Sequence, residues 1–158
     1  MKKCKFVYLM IFAITSMLIV GCEEEDDSNT GNGGDFTTGV TFQYEGETHT
    51  VKETSDLLII TEISGIISIS ANVEQGFSVS LTIPESVGEG EHDLATTSSY
   101  NLGASMDVDD ARYDAEEGTI HVTMLDAENK QIEGKFNFTA TKGGESKEIT
   151  EGQFSVSY

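Results

Sequence analysis

The chain has 158 residues, 28 of them acidic against nine basic, giving a formal charge of −19, with no tryptophan and only two cysteines. A surface this acidic repels phosphate backbones and anionic lipid headgroups, which argues against nucleic acid as a partner and leaves cations and basic or uncharged surfaces. The length suits one domain that buries about two-thirds of its unfolded surface.

The N-terminal segment reads as an address. Lys2, Lys3 and Lys5 form a positive start, and Phe6 to Val20 follow as an apolar run of 15 residues. That run fits a secretory signal and falls short of the roughly 20 residues needed to span a bilayer. It closes on Ile19-Val20-Gly21-Cys22, which resembles the lipobox of bacterial lipoproteins. The resemblance implies that residues 1–21 are a cleaved signal peptide and that the Cys22 thiol carries a diacylglyceryl group. The thiol is the nucleophile that accepts the lipid, and the small Gly21 lets the peptidase reach the bond. Each buried methylene contributes about 0.8 kcal/mol, so several acyl chains would hold the chain on a membrane without crossing it. Cys4 is discarded and Cys22 consumed, which leaves the mature chain without a disulfide.

Glu23-Glu24-Glu25-Asp26-Asp27 follows at once, and loss of residues 1–21 moves the formal charge to −22 by removing three lysines and no acid. An acid-rich segment after the lipidated cysteine resembles the export signal of Bacteroidota lipoproteins. It implies an outer-membrane, lipid-anchored location with the domain exposed at the cell surface. Residues 23–39 contain one aromatic and no aliphatic side chain, so nothing there offsets the entropy of ordering. Residues 22–39 are expected to be an acidic flexible tether with an r.m.s. span of roughly 20–25 Å.

From residue 40 to 158 the pattern becomes that of one all-β domain. Val40 to Tyr44 and Thr48 to Val51 flank Glu45-Gly46-Glu47, a tight hairpin. Leu57 to Thr61 and Ile66 to Ala71 read as central, most buried strands. Strict alternation then marks Phe77 to Ile83, Ile120 to Met124, Phe136 to Ala140 and Phe154 to Tyr158, each with one apolar and one Ser/Thr face. Asp107 to Ala115 is the only stretch that could hold a helical turn. The expected core is Phe42, Leu58, Ile60, Ile67, Ile69, Phe77, Val79, Leu81, Ile83, Ile120, Val122, Phe136, Phe138, Phe154 and Val156. Nine or ten short strands predict an antiparallel β-sandwich with a C-terminal meander, or a closed lipocalin-like barrel; periodicity does not separate the two.

Three segments share the form Glu-Gly-x-(Ile/Phe)-x-(Val/Phe), starting at Glu117, Glu133 and Glu151. Spacings of this size match successive hairpins, each strand entered through a glycine that relaxes strain or forms a bulge. Together with Ser80 to Pro84 and Gly88 to Leu94, this pattern over residues 77–158 resembles a family of small β-rich Bacteroidota lipoproteins whose biochemical role is undefined. The resemblance implies a sandwich-like antiparallel fold and supplies no site residues.

No nucleophile elbow, zinc-protease helix motif, phosphate loop or Cys/His cluster is present, and the three histidines, His49, His92 and His121, are far apart in sequence. The chain is therefore read as a non-enzyme. The segment from Met106 to Glu117 concentrates Asp107, Asp109, Asp110 and Asp114 in an expected loop, where oxygen ligands could attract Ca2+, although the spacing departs from the EF-hand and lacks its glycine. Tyr100 and Tyr113 flank it and could stack on a sugar ring. The expectation is a membrane-tethered binding module for a glycan or an envelope protein, using loops at one end of the domain. The alternative is a carrier of a small apolar ligand. A carrier needs an apolar internal pocket, and a binding module needs a shallow polar surface.

Overall fold

Alternation of apolar and Ser/Thr residues becomes ten strands, which the computed structural model describes over residues 38–94 and 101–158. In chain order they are β1 (Gly39–Tyr44), β2 (Glu47–Lys52), β3 (Leu58–Ile63), β4 (Ile66–Glu74), β5 (Phe77–Pro84), β6 (Gly90–Asp93), β7 (Gly103–Val108), β8 (Ala111–Asp126), β9 (Gln131–Lys142) and β10 (Glu145–Ser157), with one 3-10 turn at Glu85–Val87. All pair antiparallel in a single sheet of order β2-β1-β10-β9-β8-β7-β5-β4-β3. The 16-residue β8 serves two partners on one edge: β7 pairs with residues 111–114 and β6 with residues 119–122.

The sheet curls back on itself. Phe77 on β5 is separated from β1 by four strands in the pairing order, yet its ring lies 6.0 Å from Phe42 and 5.1 Å from Tyr44 on β1, and 5.2 Å from His49 on β2. The edges are β2 and β3, consecutive in sequence, and residues 53–57 run between them. Asn72 fastens this crossing to β4, since its backbone N–H and its Nδ2 both donate to the Leu57 carbonyl at 2.9 Å. The result is an all-β, nearly closed, barrel-like sheet. Registers place the turns at residues 45–46, 75–76, 109–110 and 143–144 at one end. Glu45 and Gly46 both have positive φ, 52° and 81°, as a two-residue hairpin that follows strand twist requires.

The inner faces meet in one core whose largest fully buried side chains include Phe42, Phe138, Phe154, Ile67, Ile69, Ile83, Met106, Ile120, Ile132 and Ile149. Fourteen of the fifteen expected core residues are buried; Ile60 is half-buried against the others. Two readings are corrected. Leu57 to Thr61 belongs to an edge strand with Ile59 exposed, because among the described residues β3 has β4 on one side and no strand on the other. Asp107 to Ala115 is neither loop nor helical turn: Val108 pairs with Ala111 around a two-residue turn, and the segment forms the β7–β8 hairpin.

Candidate functional site

The repeated Glu-Gly units shape the sheet where the surface hollow lies. Gly118 faces Phe138, Gly134 faces Phe154 and Gly152 faces Phe136 across adjacent strands. Each glycine leaves room for the ring or backbone opposite. A Cβ on Gly152 would lie 2.6 Å from Phe136 ring carbons, and one on Gly134 would lie 2.5 Å from Cζ of Phe154. The rings settle onto these bare backbones, with Phe136 6.2 Å from Phe138 and 6.3 Å from Phe154. Register breaks in β8 near Glu116 and Thr123, and in β10 at Thr150-Glu151, increase the local twist.

On the outer face of these coiled strands is an open hollow of about 420 Å³, lined by Glu91 of β6, Thr119 and His121 of β8, Lys135 and Asn137 of β9, and Glu151 and Gln153 of β10, among others. Pairing aligns its groups in a row: Glu91 opposite His121, His121 opposite Lys135, Lys135 opposite Gln153. Asn137 sits opposite the β10 bulge and donates from Nδ2 to Thr119 Oγ1 at 3.1 Å. In the bulge, Glu151 holds a left-handed backbone at φ 50° and accepts a short hydrogen bond from Gln43 Nε2. A non-glycine residue in that conformation costs energy, and such residues gather at functional sites. Two carboxylates, two amides, a hydroxyl, an imidazole and the Lys135 ammonium thus converge on one surface, offering donors and acceptors to a polar ligand.

The residues singled out in sequence lie elsewhere. Asp109 and Asp110 form the β7–β8 turn with positive φ, Asp107 accepts from Ser78 Oγ at 3.2 Å, and Asp114 is paired with Arg112 at 2.9 Å. Among the described residues no three His, Cys, Asp or Glu side chains group closely enough to hold a metal ion. Tyr100 and Cys22 lie outside the described residues. Tyr113 points inward and is 7% exposed, with the Lys147 and Lys142 ammonium groups 5.2 and 5.9 Å from its ring centre. A sugar cannot stack on a ring so enclosed. Of the histidines, His49 packs between Phe42 and Phe77, His92 Nε2 bonds the Gly88 carbonyl at 3.1 Å, and His121 alone joins the hollow.

Two polar clusters tie strands together at opposite ends of the sheet. At the end with the β9–β10 turn, Glu145 accepts hydrogen bonds from Lys147 Nζ at 2.9 Å and from the Tyr113 hydroxyl at 3.0 Å, which holds its carboxyl below the usual range. The same Glu145 contact, followed by a bond with Tyr44, raises the Lys147 pKa. At the other end Glu85 accepts from Tyr158 Oη at 3.0 Å and from Lys130 Nζ at 3.2 Å, and is likewise lowered. Desolvation, then the Glu85 contact, pushes the Tyr158 phenol up to about 12. These groups are mutually satisfied and act as fasteners.

Sequence reasoning missed the hollow because its residues are scattered over four strands. Their signal was present all the same: His121, Lys135, Asn137 and Gln153 are large polar residues at outward positions, whereas the outward positions of β5 carry Ser78, Ser80 and Thr82.

A barrel-like antiparallel sheet with a polar outer hollow defines a small all-β domain. The chain belongs to the family described as a domain of unknown function, DUF6252, whose model matches residues 59–156. No curated protein and no solved structure matches the chain.

Proposed function

We propose that this chain is a lipid-anchored binding module of the bacterial outer membrane, exposed at the cell surface, which holds a hydroxyl-rich envelope glycan against the outer face of β6, β8, β9 and β10. The observation that carries the reading is the row Glu91, His121, Lys135 and Gln153, with Asn137 and Thr119 beside it, around one open hollow. A sugar hydroxyl both donates and accepts, so mixed carboxylate, amide and ammonium groups suit it, whereas a uniformly charged face would not. Binding fits better than catalysis because the hollow is open, and water would reach its groups throughout. The carrier alternative is less favoured, since Phe42, Phe138, Phe154 and the aliphatic side chains around them fill the interior.

The anchor rests on Ile19-Val20-Gly21-Cys22 and the acidic run after it. Cys22→Ala should abolish acyl labelling and membrane association; a variant still membrane-bound through an uncleaved segment would refute the anchor. For the ligand, residues 23–158 are screened by thermal shift against soluble bacterial envelope polysaccharides, calcium and fatty acids. A ligand at 100 times its dissociation constant adds about 2.7 kcal/mol of stability. A glycan shift that is lost in Lys135→Ala or Asn137→Ala supports the hollow. A calcium shift lost in Asp107→Asn or Asp109→Asn would move the site to the β7–β8 hairpin, and a fatty-acid shift would restore the carrier.

A further inference from the structure

The three large hydrophobic side chains that the described residues leave exposed all lie in one short segment: Leu57 at 48%, Ile59 at 54% and Ile63 at 71%. They alternate, with Thr61 between Ile59 and Ile63, so Ile59 and Ile63 share the outward face of β3 and Leu57 stands just before the strand. The neighbouring strands show what that face ordinarily carries. β4 presents Ser68 and Ser70 there, with Ile66 opposite Ile63, and β5 presents Ser78, Ser80 and Thr82. β3 is also an edge of the sheet, paired with β4 on one side only.

Edge strands in stable monomers are protected by lysine, proline, a bulge or a covering loop. β3 has no proline or lysine, and its pairing with β4 runs from residue 58 to 63 without a register shift. Its one charge, Glu62, is turned to its own hairpin, accepting the Gly65 N–H at 2.7 Å and lying 4.0 Å from Lys130 Nζ. Thr61, Glu62 and Ile63 are exposed in succession, so both faces of this end of the strand are wet. Apart from Glu62 near its end the edge is flat and apolar, and such an edge is a template for another strand.

We infer that β3 is the edge through which two copies of this chain pair, antiparallel about Thr61. In that register Ile59 of each copy faces Ile63 of the other on the outer surface, Thr61 faces its own equivalent, and the two sheets become continuous across a two-fold axis. A two-fold contact must be self-complementary, and the sequence Ile59-Ile60-Thr61-Glu62-Ile63 meets that condition for its outward residues. Two features limit the strength of the pair. A six-residue edge with two exposed aliphatic side chains, Ile59 and Ile63, falls short of the roughly 800 Å² per partner typical of stable complexes. The chains also repel one another, since residues 23–158 keep all 28 acidic residues and only six basic ones, a net charge of −22 each, a repulsion that salt screens beyond about 8 Å at physiological ionic strength. The dimer is therefore weak, dissociates on dilution and strengthens with salt. This inference is independent of the glycan reading, because no β3 residue lines the hollow.

Sedimentation velocity on residues 23–158, which include the whole described core, tests it between about 10 µM and 1 mM in low and high salt, where the larger apparent mass at high salt follows from screening. The expected result is a concentration-dependent shift from monomer to dimer, larger in high salt. Ile59→Lys/Ile63→Lys should remain monomeric throughout while keeping the parent far-UV CD spectrum. Thr61→Cys should form a disulfide-linked dimer on mild oxidation, and Ser68→Cys, one strand inboard on the same face, should not. A monomer at every concentration, a dimer untouched by the double lysine variant, or equal cross-linking at residues 61 and 68 would overturn the proposal.

Discussion

Two three-stranded antiparallel meanders in this molecule follow the same alternating pattern and end up different. In β3–β4–β5 the strands are six to nine residues long, the outer face is a serine ladder with Ser70 and Ser80 hydroxyls 2.9 Å apart, and the outermost strand is exposed. In β8–β9–β10 the strands run 12 to 16 residues, bend at bulges, and set glycines under phenylalanine rings. Alternation decides which face a residue takes, and both meanders obey it. What separates them is the residue opposite each ring: a bare glycine lets the neighbouring strand approach and coil, and the coil produces the outer hollow.

The comparison breaks most visibly in the long meander. Phe154→Ala removes a fully buried ring seated on Gly134 and should cost about 3–5 kcal/mol in urea unfolding of residues 23–158. Ile69→Val on β4, also fully buried, should cost only about 0.5–1.5 kcal/mol. Next comes the glycine itself. Gly152→Ala forces a methyl into the Phe136 ring and should lose about 1–3 kcal/mol. Gly103→Ala on β7, where a Cβ would meet nothing within 4 Å, should stay within about 0.5 kcal/mol of the parent.

Smaller effects come from the polar fasteners at the two ends. Glu85 and Glu145 have folded-state pKa values below their ordinary ones. The folded protein therefore binds fewer protons than the unfolded chain as these carboxylates titrate, and stability is present above the ordinary carboxylate pKa and lost as pH falls through the lowered one. Melting temperature should decline on acidification below about pH 5, and Glu85→Gln/Glu145→Gln should show a flatter acid limb. Tyr158 behaves in the opposite sense: its raised pKa gives stability that is full below pH 10 and lost as pH rises towards about 12. Tyr158→Phe should flatten that alkaline limb. Smallest of all, Ser70→Ala in the serine ladder should cost less than about 1 kcal/mol.

The sheet itself was largely legible from residue identity, since Phe77 to Ile83 and Phe136 to Ala140 announce both strand and inner face by period two. The exposed edge was not, because an apolar run such as Leu57-Leu58-Ile59-Ile60 has no period that separates a buried strand from an edge with one wet face. The extent of β8 was hidden by Glu116 and Thr123, which shift the alternation at bulges. Asp109-Asp110 misled in another way: two acids in succession read as a ligand loop, whereas their tolerance of positive φ makes the turn of a hairpin. The hollow depended on the register of β6, β8, β9 and β10, which shifts at bulges in β8 and β10, and only the fold supplies that.

The central claim is that the outer face of β6, β8, β9 and β10 binds a glycan, and amide chemical-shift mapping of ¹⁵N-labelled residues 23–158 during titration with soluble envelope polysaccharides tests it most directly. The account predicts perturbations centred on Thr119, His121, Lys135, Asn137 and Gln153, absent in Lys135→Ala/Asn137→Ala. Perturbations centred on the β7–β8 turn, or a spectrum unchanged by every polysaccharide in the panel, would contradict it.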